Sequence, residues 1–158
     1  MDFFIRNAEE KDYEGITQIF DEIDLLHIKA LPHIFTKADE PPRNKEHISN
    51  ILRGGNSAIF LAESDNQIVG LIEIEIRQTP SFPLMVKRRY VYVSSIAVTA
   101  AFRGYGIGKA LMTKVEQWAR DKNVSQIEFN VWDFNQDALM FFQRLGYTSS
   151  RRNMFKEI

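Results

Sequence analysis

With 158 residues, 44% apolar and 26% charged, the chain has the composition of one globular domain spanning 1–158 with a substantial core. A formal net charge of −1 gives no reason to expect a nucleic-acid or anionic-membrane partner, and the absence of cysteine removes disulfides, thiolate–metal sites and a cysteine nucleophile. No apolar run approaches the ~20 residues of a membrane span and MDFFIRNAEEKD has no leader character, so a cytoplasmic protein without a metal is expected.

FFIR at Phe3–Arg6 fits a first strand ended by Asn7. From Lys11 the period changes: Tyr13, Ile16, Ile19, Phe20, Ile23 and Leu26 recur at helical spacing, in a helix that should stop before Pro32. HIKALPHIFTKADEPPRN has no clear period and reads as loop, with or without a short helix in it. A second helix is predicted from about Asn44 to Leu52, ahead of Gly54-Gly55. In SAIFLAESDNQIVGLIEIEIRQ, two extended runs flank Ser64-Asp65-Asn66 as a hairpin, and Ile72, Ile74 and Ile76 alternate with Glu73, Glu75 and Arg77. Tyr90–Val98 is a further strand. Helical spacing returns with Ile107, Leu111, Val115 and Trp118, QIEFNVW is another strand, Gln136–Leu145 a last helix, and the tail offers one or two short strands. The order is mixed α/β: a central sheet of about six to seven strands with helices on both faces. Lys87-Arg88-Arg89 and Arg151-Arg152 read as solvated loop charge before they read as a phosphate site.

Between the strand at Tyr90–Val98 and the next helix lies SSIAVTAAFRGYGIGKALM, with Gly104, Gly106 and Gly108 close together. A strand, a glycine-rich turn and a helix start make an anion site, because the first helical N–H groups lack internal acceptors and glycine lets a phosphate approach them. A Walker loop is excluded: it needs a glycine where Arg103 stands and Ser or Thr where Ala110 stands. A dinucleotide fingerprint would need glycine at position 109 or 111, and the chain has Lys109 and Leu111.

R-x-x-G-x-G, met by Arg103, Gly106 and Gly108, resembles the pyrophosphate loop of the GNAT acetyltransferases. Downstream, IEFNVWDFNQDALMFFQRLGY is similar to the second motif of that family in Val131, Asn135, Ala138, Phe141-Phe142 and Gly146-Tyr147. The resemblance covers roughly Val93 to Tyr147 and implies a single-domain GNAT fold. It also implies acetyl-coenzyme A as co-substrate, its pyrophosphate on the backbone of Arg103, Gly104, Gly106, Gly108 and Lys109, with Tyr105 and Ile107 between them. The pantetheine arm would pair with the strand at Ile96, Ala97 and Val98. Asn135 would bind the arm, cap the last helix, or both; Phe141 would line the thiol end, with Phe142 beside it or simply in the core.

The acid–base positions depart from the family. Asn130 stands where many members carry a Glu base, Tyr92 and Ser94 where others carry Glu or His, and Phe142 where the acid is usually Tyr. Glu73 and Glu75 remain, as a base acting through water or as surface carboxylates, and Tyr92, as an acid or a core tyrosine. His27 falls on the apolar face of the first helix and reads as a core histidine; His33, in the loop, could face the acceptor. The resemblance implies direct transfer of acetyl to a primary amine, small or protein-borne, in a ternary complex. The alternative is a GNAT-fold sensor that binds acyl-coenzyme A and transfers nothing. Dimers are common in the family, so a homodimer is compatible with the resemblance.

Overall fold

The computed structural model describes residues 1–158. Its sheet has the order β1 (Phe4–Asn7), β2 (Ser57–Ser64), β3 (Gln67–Gln78), β4 (Arg89–Val98) and β5 (Ile127–Glu128). The first four strands are antiparallel; β5 joins β4 in parallel. Asp65 and Asn66, both at positive φ, close the β2–β3 hairpin, the left-handed pair that a tight two-residue turn demands.

Four α-helices cover the sheet: α1 (Tyr13–Ala30), α2 (Lys45–Arg53), α3 (Ile107–Asp121) and α4 (Gln136–Arg144). IFLA in β2 is buried on both sides because the strand is central. Phe60 and Ala62 join α3 residues Leu111, Met112 and Val115 in one core, while Ile59 and Leu61 join Ile16, Ile19 and Phe20 of α1 in the other. Arg6 ties β1 to the start of α1, donating to both carboxylate oxygens of Asp12 (2.6 and 2.9 Å) and to Glu63 (2.6 Å). No helix is long and apolar enough to cross a membrane.

The sheet has five strands where about six to seven were expected. QIEFNVW shrinks to Ile127–Glu128, and residues 148–158 carry no helix or strand. The short fifth strand follows from its pairing: β4 meets β5 only at Val91↔Ile127 and Tyr92↔Glu128, and beyond them the ladder ends.

Candidate active site

The divergence of β4 from β5 begins at a bulge. Glu73 faces Ser95 and Ile74 faces Val93 across the β3–β4 ladder, so Ser94 has no partner. The bulge was legible in spacing alone: Val91 and Val93 lie two apart, Ile96 and Val98 lie two apart, but three positions separate Val93 from Ile96. All four still face the α3 core. Ala97 packs instead on the α1 side.

Past the bulge the free edge of β4 is set by alternation. Thr99 N–H bonds to Val69 on β3 (2.9 Å), so the backbone of Val98 points the other way, where its carbonyl accepts from Arg103 Nε at 2.9 Å. Ile96, in the same phase, presents its N–H and C=O into the opening. Arg103 also reaches Glu22 on α1 (3.1 Å), and Glu22 accepts from the Ala100 amide (3.1 Å). The loop is thereby anchored on both flanks.

The glycine loop carries bare donors. The N–H groups of Gly104 through Lys109 have no backbone acceptor; the first intrahelical bond of α3 runs from Ala110 N–H to Gly106. Arg103 is the exception among the expected donors, since its amide bonds to Ala100 at 3.4 Å. Gly104 and Gly106 sit at φ +85 and +86, a region that costs other residues about 1–2 kcal/mol. A side chain at either would meet open space. Gly108 differs: a Cβ there would lie 3.1 Å from Phe141 Cζ. A side chain at 108 would therefore press on the Phe141 ring, which would have to shift by a few tenths of an ångström to admit it. Phe141 packs on the loop, and like Ala97, Val98 and the loop residues Arg103 to Lys109 it lies outside the cavity lined by Tyr92, Ile96, Asn135 and Phe142.

That cavity, of about 1100 Å³, opens where β4 and β5 part, between α1, the loop from Phe35 to Arg43, and residues 129–142. Tyr92, Ser94, Ile96, Asn130, Asn135 and Phe142 all line it. Phe142, 7% exposed, is both core and wall, packed at a tilt on Phe129 with ring centroids 4.2 Å apart. The carbonyl of the Asn135 side chain caps α4 by accepting from Ala138 N–H (3.2 Å), and its amide nitrogen has no partner, so capping and ligand binding are compatible. A smaller depression of about 600 Å³, lined by Ala119, Val124 and Tyr147 among others, lies at the far end of α3 from the glycine loop. Burial pushes the Tyr147 hydroxyl up to about 12.

Tyr92 is held in one pose. Asn130 Nδ2 donates to its hydroxyl oxygen at 3.0 Å, and the Arg77 guanidinium lies 3.6 Å from the ring centroid. With the oxygen accepting from Asn130, the Tyr92 proton is free to be given elsewhere. Glu73 is half-buried and does not line the cavity, but its cross-strand partner Ser95 does. Burial raises its carboxyl pKa above the usual value; the charges of His47 and Arg43 pull it down in part, and Glu75 pushes it up. His27 lines the cavity with Nδ1 bonded to the Ile23 carbonyl (2.8 Å), while His33 is exposed and outside it. The Asn130–Tyr92 bond had no sequence signal, because it depends on the short β4–β5 register.

The family model described as the acetyltransferase (GNAT) family matches residues 21–147. The chain belongs to that family. Among its relatives, the L-amino acid N-acetyltransferase AaaT of Escherichia coli (strain K12) is 26% identical over 149 residues, 90% of this chain and 81% of that protein. The glucosamine 6-phosphate N-acetyltransferase of Trypanosoma brucei brucei is 25% identical, over 87% of this chain and 91% of its own length. The X-ray structure of the tetramutant of the BH1408 protein from Bacillus halodurans superposes with TM-score 0.90 at 28% identity, covering 98% of this chain and 99% of that one. The aminoglycoside N-acetyltransferase AAC(6')-Iy in complex with CoA shares the fold at TM-score 0.75 and 19% identity, covering 99% and 95%. The chain is an acetyltransferase of the GNAT fold.

Proposed function

We propose that the protein transfers the acetyl group of acetyl-coenzyme A directly to a primary amine, in a ternary complex. The observation that carries this is the run of unpaired amides from Gly104 to Lys109, which follows, one short turn on, the β4 edge where the Ile96 backbone and the Val98 N–H have no strand partner. Helix-start N–H groups suit the anionic diphosphate end of the ligand, and an exposed strand edge suits its amide-rich arm.

Acetyl-coenzyme A, when bound, supplies an activated thioester carbonyl whose acetyl group passes to the amine nitrogen as the C–S bond breaks. This chain's residues manage the protons. A lysine-like ammonium, of pKa about 10.4, costs roughly 4 kcal/mol to neutralise at pH 7.4. Glu73, with its carboxyl raised by burial, takes that proton through a water beside Ser95. Tyr92, fixed by Asn130 and Arg77, gives its hydroxyl proton to the departing sulfur. Phe142 and Phe129 wall the reacting end against bulk water. Asn130, where a carboxylate base would otherwise stand, becomes a positioning residue for the acid.

Calorimetry tests the seat. Gly106→Glu places a carboxylate and a left-handed strain where the free amides converge, and should weaken acetyl-coenzyme A binding at least about tenfold, or ~1.4 kcal/mol. Affinity equal to wild type in the folded variant would reject the loop as the seat.

A further inference from the structure

α1 is longer than its core. Ile16, Ile19 and Phe20 are buried, and the turns beyond Ile23 carry the same apolar face past the sheet, bringing His27 and Ile28 to the cavity wall. There the rings collect. His27 meets Phe35 edge-on (5.4 Å) and Phe134, from the segment after β5, edge-on (5.8 Å), and Phe35 meets Trp132 at 5.4 Å. The wall is therefore built from both banks, α1 and its loop on one side and the segment after β5 on the other. Trp132 is still 42% exposed, and Leu25 extends the apolar surface at 54%. This is a large apolar wall directly beyond Asn130 in the chain and in the same cavity as Tyr92.

The charges of the lining point one way. Asp21, Asp39 and Glu40 contribute carboxylates against Lys37, while Asp24 and Arg43 pair with each other. Arg43 is already committed: its guanidinium bonds to Asp24 at 2.8 Å and lies over the Phe20 ring at 4.1 Å. An acceptor bearing a carboxylate or phosphate would find only the exposed Lys37, set in a negative rim. An ammonium would be drawn in, and a flat apolar body would find edge and offset partners in Phe35 and Trp132.

We infer that the acceptor is an arylalkylamine: a primary amine on a short chain from an aromatic ring, with no acidic group beside the nitrogen. This rests on the transfer reading above and names its second substrate. It separates this chain from the relatives whose names specify amino acids or a sugar phosphate.

The test uses pairs that differ only in the carboxylate. Tryptamine and 2-phenylethylamine should exceed tryptophan and phenylalanine at least tenfold in kcat/KM for amine-dependent thiol release, and should exceed glucosamine 6-phosphate and kanamycin as well. Phe35→Ala and Trp132→Ala should each raise KM for tryptamine at least fivefold, with acetyl-coenzyme A affinity by calorimetry unchanged. A binding readout independent of turnover comes from Trp118→Phe, which leaves Trp132 as the sole tryptophan: 2-phenylethylamine should change its emission saturably. The inference is overturned if the carboxylated or phosphorylated acceptors match the arylalkylamines, if the ring variants keep the tryptamine KM, or if Trp132 does not respond. Saturable binding at Trp132 without acetyl transfer would instead keep the ligand class and reject the transfer reading.

Discussion

Removing one oxygen atom from Tyr92 separates its chemistry from its structural role. Tyr92→Phe keeps the ring, and with it the stacking of Arg77 at 3.6 Å, and loses the hydroxyl that accepts from Asn130 at 3.0 Å. That bond joins two side chains at the rim of an open cavity, so its loss should cost no more than about 1 kcal/mol, a melting shift of about 2–4 °C for a chain of this length. The rate should fall further. General-acid assistance is worth ~10²–10⁴, and a thiolate, whose acid ionises near pH 8.5, leaves readily without help; the lower end applies, about 10² in kcat or ~2.7 kcal/mol. Asn130→Ala leaves the hydroxyl but frees it to rotate, and should cost about 3–10-fold. In the Tyr92→Phe background the same change should cost nothing more, because the two residues act as one unit. Initial rates of thiol release, with coenzyme A affinity measured in parallel, decide it. A kcat for Tyr92→Phe within about threefold of wild type would refute the assignment of Tyr92 as acid.

Phe142→Tyr, which puts a hydroxyl on a second residue lining the same cavity, should change wild-type turnover little and recover part of the loss in Tyr92→Phe; a doubly substituted enzyme no faster than Tyr92→Phe would place the reacting sulfur elsewhere. Glu73→Gln should lower turnover by at least tenfold at constant coenzyme A affinity, within the ~10²–10⁴ of a general base, and a pH–rate profile identical to wild type would remove Glu73. The same substitution has a stability signature. A carboxyl whose folded pKa is raised binds more protons folded than unfolded, so its charge opposes folding as pH rises above the unfolded value of about 4.3. Glu73→Gln should therefore melt higher than wild type at pH 7–8, with the difference closing below about pH 4, as thermal scans across pH would reveal. Asp12, at 7% exposure and held low by Arg6, has the opposite sign: its contribution is full above the ordinary carboxylate range and lost as pH falls through its depressed value. Arg6→Ala should destabilise by roughly 2–4 kcal/mol by chemical denaturation, less than a fully buried pair because Arg6 is partly exposed.

What the sequence disclosed followed from local rules. The hairpin at Asp65-Asn66, the end of α1 before Pro32, the cap at Asn135 and the loop of Gly104 and Gly106 each depend on residues within a few positions of one another. The two cores on either face of β2 follow from a continuous apolar run in a central strand. The sheet was overcounted because QIEFNVW is apolar enough for a full strand; whether it pairs depends on β4, whose bulge at Ser94 turns the neighbouring backbone away. The apolar body of His27 did suit the α1 face, but where that face left the core and met the cavity depended on how far the helix overran the sheet. Gly108 fits the motif, while the atom it makes room for, Phe141 Cζ, comes from a distant helix. Long-range register and the meeting of the two ring-bearing banks are the parts that local rules do not contain.

Acetyl transfer itself is tested most directly by incubating the purified protein with acetyl-coenzyme A and tryptamine, and measuring free thiol and N-acetyl product together. The expected result is thiol released only when amine is present, in equal amount to N-acetylated amine, with initial-rate lines that intersect as a ternary complex requires. Acetyl-coenzyme A bound at the loop with no amine-dependent thiol from tryptamine or from a broad set of primary amines would contradict it, and the fold would then serve a binding protein.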